Sequence, residues 1–230
     1  MMNTHGQADK ATPTTAEAEC ESREGAVPSG PWRKWQDFNP YSVQRHGPGN
    51  LSYLFRSKGQ KAWLKQILEK SAWRVELVGG HGVGKSTLLR TLRAWTEDSG
   101  RPTLWLRCSS EMRTLPRLFW RDLPPRGGVV FLDGGERCSW WQLWLLAQLT
   151  QWGGNGLVLT THRPLGVGRP VRMEVSTVQL QRIVGHLLES SSEKEERGRI
   201  EGLLAEYQGN AREVLLRLYD EWEDHGHGRE

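Results

Sequence analysis

Cysteine is scarce in this chain, and its spacing is sparse too. Cys20, Cys108 and Cys138 lie far apart in sequence with no C-x-x-C pair, so no zinc site is written here and a reducing cytoplasm is the expected setting. Long apolar runs are also missing. The richest stretch, Trp140 to Trp152, is interrupted by Gln142, Gln148 and Thr150 and falls short of the roughly 18 apolar residues that cross a bilayer. The opening residues lack the apolar centre of a secretory leader. Neither sign of charge dominates: 31 Lys and Arg against 27 Asp and Glu leave a net +4, an ordinary solvated surface on which nucleic acid is permitted but not indicated. Phe and Tyr number four each, against twelve Trp. Set mostly among leucines, the tryptophans read as packing. What remains, 230 residues with 37% hydrophobic content, suits one globular domain with modest appendages.

The chain divides by composition. Residues 1–30 are rich in Ala, Thr, Glu, Ser and Pro without apolar periodicity, and a disordered tail is expected. Residues 31–71 are expected to form an irregular aromatic segment wrapped on the core, followed by a helix over 60–70 with Trp63, Leu64, Ile67 and Leu68 on one face. From 72 to 175, short apolar runs alternate with helical patterns, the signature of a parallel sheet with helices on both faces. The predicted strands are 75–78, 103–107, 129–132, 157–160 and 171–174. The intervening helices are 86–96, a weaker 112–119, and 139–152 with Trp141, Trp144, Leu145, Leu149 and Trp152 on one side. The link over 162–170 is too short for a helix. Residues 176–222 read as a small helical appendage with helices at 177–188, 200–207 and 211–222 around a charged break at 189–197, and 223–230 should fray.

One motif stands out. Gly79-Gly80-His81-Gly82-Val83-Gly84-Lys85-Ser86-Thr87 satisfies G-x-x-x-x-G-K-S/T directly between a predicted strand and an amphipathic helix. Its glycines let successive backbone N–H groups turn inward toward phosphate oxygens, and the helix start adds unpaired N–H groups and positive dipole. Lys85 is the candidate for the β- and γ-phosphates, Ser86 for Mg²⁺ and Thr87 for the α-phosphate. His81 is either a phosphate contact or a solvent-facing loop residue. A magnesium-nucleotide site also needs a carboxylate at the end of a neighbouring strand. Val129-Val130-Phe131-Leu132-Asp133 supplies it, so Ser86 and Asp133 are the candidate metal residues and ATP with Mg²⁺ the expected cofactors.

With these two motifs the chain resembles the ASCE division of P-loop NTPases, and within it AAA-type proteins. The fold implied is a three-layer α/β/α sandwich with a mainly parallel sheet, an extra strand between loop strand and acidic strand, and a small C-terminal helical lid. AAA-type members usually carry Glu directly after the Walker B Asp. Here that position is Gly134, and the nearest carboxylate, Glu136, is the candidate base. Thr160 or Thr161 resembles the sensor-1 position, Arg163 is a further basic candidate, and Arg212, behind an Asn210/Glu213 capping box, resembles the sensor-2 Arg of the lid. The lead-in Phe38-Asn39-Pro40-Tyr41 is similar to that of secretion- and transposition-accessory AAA ATPases, where it lies beside the adenine pocket.

The resemblance implies an ATP-binding switch or slow ATPase. A small-molecule P-loop kinase is the alternative, with Cys108 to Arg113 the nearest polar candidates for an acceptor pocket. No N/T-K-x-D motif follows the fourth strand, which disfavours a GTPase, and no L-S-G-G-Q-like signature precedes Asp133, which disfavours a transporter ATPase. Beyond the nucleotide, a protein partner on the Trp-rich helix is a third reading, with burial of that helix against the sheet as its opposite. Oligomeric state is left open, with no arginine-finger helix evident.

Overall fold

The computed structural model describes Tyr41 and residues 53–109, 115, 119–187 and 197–226. The predicted tail over 1–30, most of the weak helix over 112–119, most of the charged break over 189–197 and the last four residues of the C-terminal tail predicted over 223–230 lie outside these residues; the first four of that tail are helical rather than frayed. Helix α1 (Lys58–Lys70) leads into β1 (Arg74–Val78), α2 (Lys85–Asp98), β2 (Thr103–Arg107), β3 (Val129–Asp133), α3 (Trp140–Trp152), β4 (Gly156–Thr161) and β5 (Arg169–Arg172), and three helices follow: α4 (Thr177–Leu187), α5 (Arg197–Glu206) and α6 (Ala211–Gly226). The five strands form one parallel sheet in the order β2-β3-β4-β1-β5. Thus β4 separates the loop strand β1 from the acidic strand β3, as the ASCE resemblance implies.

Strands covered on both faces need uninterrupted apolar side chains. Val129 to Leu132 and Leu157 to Leu159 meet that need and are almost wholly buried. On one face, Leu64 and Leu68 of α1 and Leu88, Leu89 and Leu92 of α2 pack on Leu77, Phe131 and Val158. On the other, Leu143, Leu146 and Ala147 of α3 pack on Val130, Leu132, Leu157 and Leu159. A third core joins Leu180, Val184, Ile200, Leu204, Val214 and Leu218 of the C-terminal helices to Tyr41. Each fully buried Leu is worth about 1.5–3 kcal/mol relative to exposure, so these helices are held mainly by packing.

Three expectations change. The last strand begins and ends two residues earlier than predicted, because Pro170, which cannot donate to a ladder, is tolerated on an edge strand, where it pairs with Glu76. The tryptophans are not uniformly core: Trp63, Trp120, Trp140, Trp141, Trp144, Trp152 and Trp222 are exposed. Moreover, α3 turns toward the sheet the face opposite to the one predicted, burying Gln142, Leu143, Leu146, Ala147 and Thr150.

The link between β4 and β5 is held by a charged residue flanked by apolar ones in its strand. Glu76, in the middle of β1, is fully buried. Its carboxylate accepts backbone hydrogen bonds from Leu165 (2.7 Å), Val167 (2.6 Å) and Gly168 (2.9 Å). A buried charge is tolerable only with its lone pairs satisfied, and here one side chain satisfies three loop amides that no helix would otherwise pair.

Candidate functional site

The glycine loop leaves β1 at Val78 and ends where α2 starts at Lys85. Gly82 and Gly84 have φ of +69° and +85°, a region costly to residues with a Cβ, and a Cβ on Gly79 would lie 2.6 Å from the Met173 carbonyl oxygen. Gly84 caps α2 without a side-chain bond, so the first amides of the helix remain available to an anion.

Around this loop lies a cavity of about 460 Å³, within the usual range for small-molecule sites. Of the site candidates, His81, Val83, Thr87, Lys85 and Ser86 line it with Gly82 and Gly84, as do Asp133, Glu136, Thr160 and Arg212, whereas Gly79 and Gly80 contribute to the loop behind. The Lys85 ammonium donates to the carbonyl oxygens of Gly79 (2.8 Å) and Gly80 (2.5 Å), inside the curl of the loop. Burial lowers its pKa from the ordinary lysine value, while the carboxylates of Glu136 and Asp133 oppose that shift.

Ser86 donates its hydroxyl to Asp133 Oδ1 at 2.8 Å, and Thr160 donates to the same oxygen at 2.8 Å while accepting from the Gly134 amide. Two strands and a helix therefore converge on one carboxylate. Hard oxygen donors at this spacing suit Mg²⁺, which takes one or two protein ligands and completes its shell with water and phosphate. Among the described residues no group of three His, Cys, Asp or Glu forms a self-sufficient metal cage. The residues present therefore fit a magnesium ion delivered with phosphate oxygens.

Glu136 occupies the short helical turn Gly135–Arg137, entered through Gly134 at φ +80°. One oxygen, Oε1, lies 3.2 Å from His162 Nε2; the other, Oε2, is buried and has no hydrogen-bond partner among the described residues. His162 was not singled out as a site residue from sequence. Its Nδ1 lies 3.0 Å from the Gly79 carbonyl oxygen and 3.5 Å from Lys85 Nζ, and its ring packs on His81 with centroids 4.1 Å apart. Burial, then the Lys85 ammonium, pushes its pKa below the usual imidazole value, with Glu136 pulling the other way. The neighbouring Thr161 turns away and donates to the Arg163 carbonyl, and Arg163 is exposed.

The C-terminal helices reach this loop. Asn210 Oδ1 accepts from the Glu213 amide at 3.4 Å, the expected N-cap contact of α6. A Cβ on Gly82 would collide with the Asn210 side chain and come within 3.1 Å of Arg212 Cβ. Gly82→Ala should therefore lower stability by about 1–2 kcal/mol from backbone conformation alone, and weaken ATP binding by pushing α6 off the loop. Urea unfolding and equilibrium binding measure both effects, and an unchanged unfolding midpoint would contradict the contact. Tyr41 is buried and lines the same cavity, while Phe38 to Pro40 lie outside the described residues.

The cysteines also differ from expectation. Cys108, just past β2, and Cys138, just past the Glu136 turn, form a disulfide with Cα atoms 5.8 Å apart. Disulfides belong mainly to oxidising compartments, so cysteine usage lends no weight to a reducing one. No helix among the described residues is long and apolar enough to cross a membrane.

The fold is that of P-loop NTPases, a three-layer α/β/α core around a parallel sheet. No protein-family model matches the sequence, and no curated protein matches it. Among solved structures, one variant of Thermotoga maritima RuvB is similar at 18% identity with a TM-score of 0.53 over 71% of this chain and 61% of that one. A second RuvB variant gives 19% and 0.52 over 73% and 62%. The replication initiator DnaA, bound to AMPPCP and single-stranded DNA, gives 15% and 0.49 over 72% and 61%. At these identities the likeness is one of fold, and the chain spans about three fifths of each neighbour's length.

Proposed function

We propose that this chain is an AAA-type P-loop protein that binds ATP with Mg²⁺ and hydrolyses it slowly, using the nucleotide to control the docking of its C-terminal helices. The observation that carries this reading is the 2.8 Å contact between Ser86 and Asp133 at the mouth of the glycine loop.

In this reading the loop amides and the first amides of α2 hold the phosphates, and Lys85 exchanges the Gly79 and Gly80 carbonyls for phosphate oxygens. Mg²⁺, when bound, would supply positive charge against the negative charge of the phosphates. Ser86 and Asp133 hold the ion, and Thr160 fixes Asp133 in orientation. Glu136, steadied through one oxygen by His162, uses the other to take a proton from the attacking water. Arg212 stands on the helix that touches Gly82 and links nucleotide state to lid position. His81 and Thr87 complete the lining.

A cytoplasmic site of action and a role as a secretion- or transposition-accessory ATPase are parts of this proposal that rest on the sequence reading. The kinase alternative requires an acceptor pocket beside the end of β2. There Cys108 is engaged with Cys138, which takes its thiol out of any acceptor pocket, so the ATPase is the better-supported reading. Equilibrium titration with Mg·ATP tests it. Lys85→Ala should weaken binding by about 10- to 100-fold, the worth of a hydrogen bond to a charged group. Equal affinity in the two chains would refute nucleotide binding at this loop.

A further inference from the structure

Helix α3 is apolar on all sides, yet only one side meets the sheet. Its uncovered face carries Trp140 (76% exposed), Trp141 (57%), Trp144 (49%) and Trp152 (75%), with Gln148 and Gln151 between them. None of its thirteen residues is charged. Solvent-facing helix surfaces ordinarily carry charge, and a helix hydrophobic all round is ordinarily enclosed.

We propose that a second copy of this chain covers this face, with the two α3 helices packed antiparallel about a two-fold axis at the level of residue 146. The pattern along the helix is self-complementary under that operation. Trp141 comes level with the partner's Gln151 and Trp144 with the partner's Gln148 along the seam, while Trp140 and Trp152 lie on its two flanks. Each of the two inner indoles, which can only donate, thus faces an amide that can accept. A two-fold interface requires such matching of a surface with itself.

The area agrees. A large aromatic side chain offers up to about 250 Å², so at these exposures the four indoles together leave on the order of 600 Å² uncovered. A stable interface of ordinary size takes about 800 Å² from each partner, and Gln148 and Gln151 lie within the same face. Other occupants fit less well. A membrane-surface helix carries Lys and Arg along its polar side, and a single-stranded nucleic acid platform adds a cationic groove to its aromatic rings. This face has neither. The proposal is independent of the nucleotide site.

Sedimentation equilibrium of the full chain at micromolar concentration tests it. The expected mass is twice 26.2 kDa. Trp144→Glu should raise the dimer dissociation constant by at least about 30-fold, as expected for a central aromatic anchor, with the circular dichroism spectrum unchanged. Should that variant misfold, Trp152→Lys at the exposed end of the helix gives the same reading. Mixing Trp144→Glu with Gln148→Lys should restore a heterodimer, because the new charges oppose one another across the axis. A monomeric natural chain, whether its face is covered by its own residues 1–52 or it floats with phosphatidylcholine vesicles, would overturn the proposal. So would a Trp144→Glu chain that still dimerises, or a mixture that fails to pair.

Discussion

Glu136→Gln should lower the rate of ATP hydrolysis by a factor of about 10² to 10⁴, the usual worth of a positioned general base, and leave ATP affinity unchanged. The substitution keeps the length of the side chain and an oxygen for the His162 contact, but an amide cannot take a proton from water. Glu136 is the carboxylate to test because one of its oxygens is already committed to His162 while the other is buried and unpaired among the described residues. A buried acceptor of that kind is costly unless something in the working state satisfies it. The attacking water is that partner in the proposed reaction. Single-turnover phosphate release, paired with equilibrium binding, separates the two effects. Unchanged release would remove Glu136 from the chemistry, and lost binding would make its role structural.

Glu76→Gln should lower the stability of the folded chain by about 3 kcal/mol, a hydrogen bond to a charged group being worth about 1.5–3 kcal/mol. An amide supplies one oxygen where the carboxylate supplies two. Oriented to serve Val167 and Gly168, which share Oε1, it turns its own N–H₂ toward the Leu165 amide, donor against donor. The midpoint of thermal unfolding should fall by roughly 6–12 °C, at about 2–4 °C per kcal/mol for a chain of this size. Glu76→Ala, which leaves all three amides buried without an acceptor, should cost more than Glu76→Gln. A shift of less than about 1 °C for both would mean that the link between β4 and β5 is held by something else.

Why were some of these features legible in the sequence and others not? The strand ending in Val78, the helix opening at Lys85 and the acidic strand ending in Asp133 announce themselves through local chemistry: apolar runs, glycines at the turn, a Lys-Ser pair. The meeting of Ser86 with Asp133 follows from the parallel sheet. The Trp-rich helix faces the other way from its sequence expectation because its residues are apolar on every side, so periodicity carries no direction. Gln142 and Thr150 then face inward, where Gln142 accepts from the Leu115 amide and Thr150 donates to the Leu146 carbonyl. Cys108 and Cys138 are 30 residues apart in sequence. They meet because Arg107 and Asp133 are register partners, a fact that pairing alone reveals. His162 carried a faint signal, a titratable ring just after a buried strand on the edge where ligands of open α/β sheets bind. Its neighbours Thr160, Thr161 and Arg163 carry the sequence expectation instead.

The bare backbone at Gly82 gives α6 a fulcrum. A rod of sixteen residues is about 24 Å long, and its first turn rests on the loop. A tilt there of a few degrees, too small to disturb packing at the pivot, sweeps the far tip through a much larger arc.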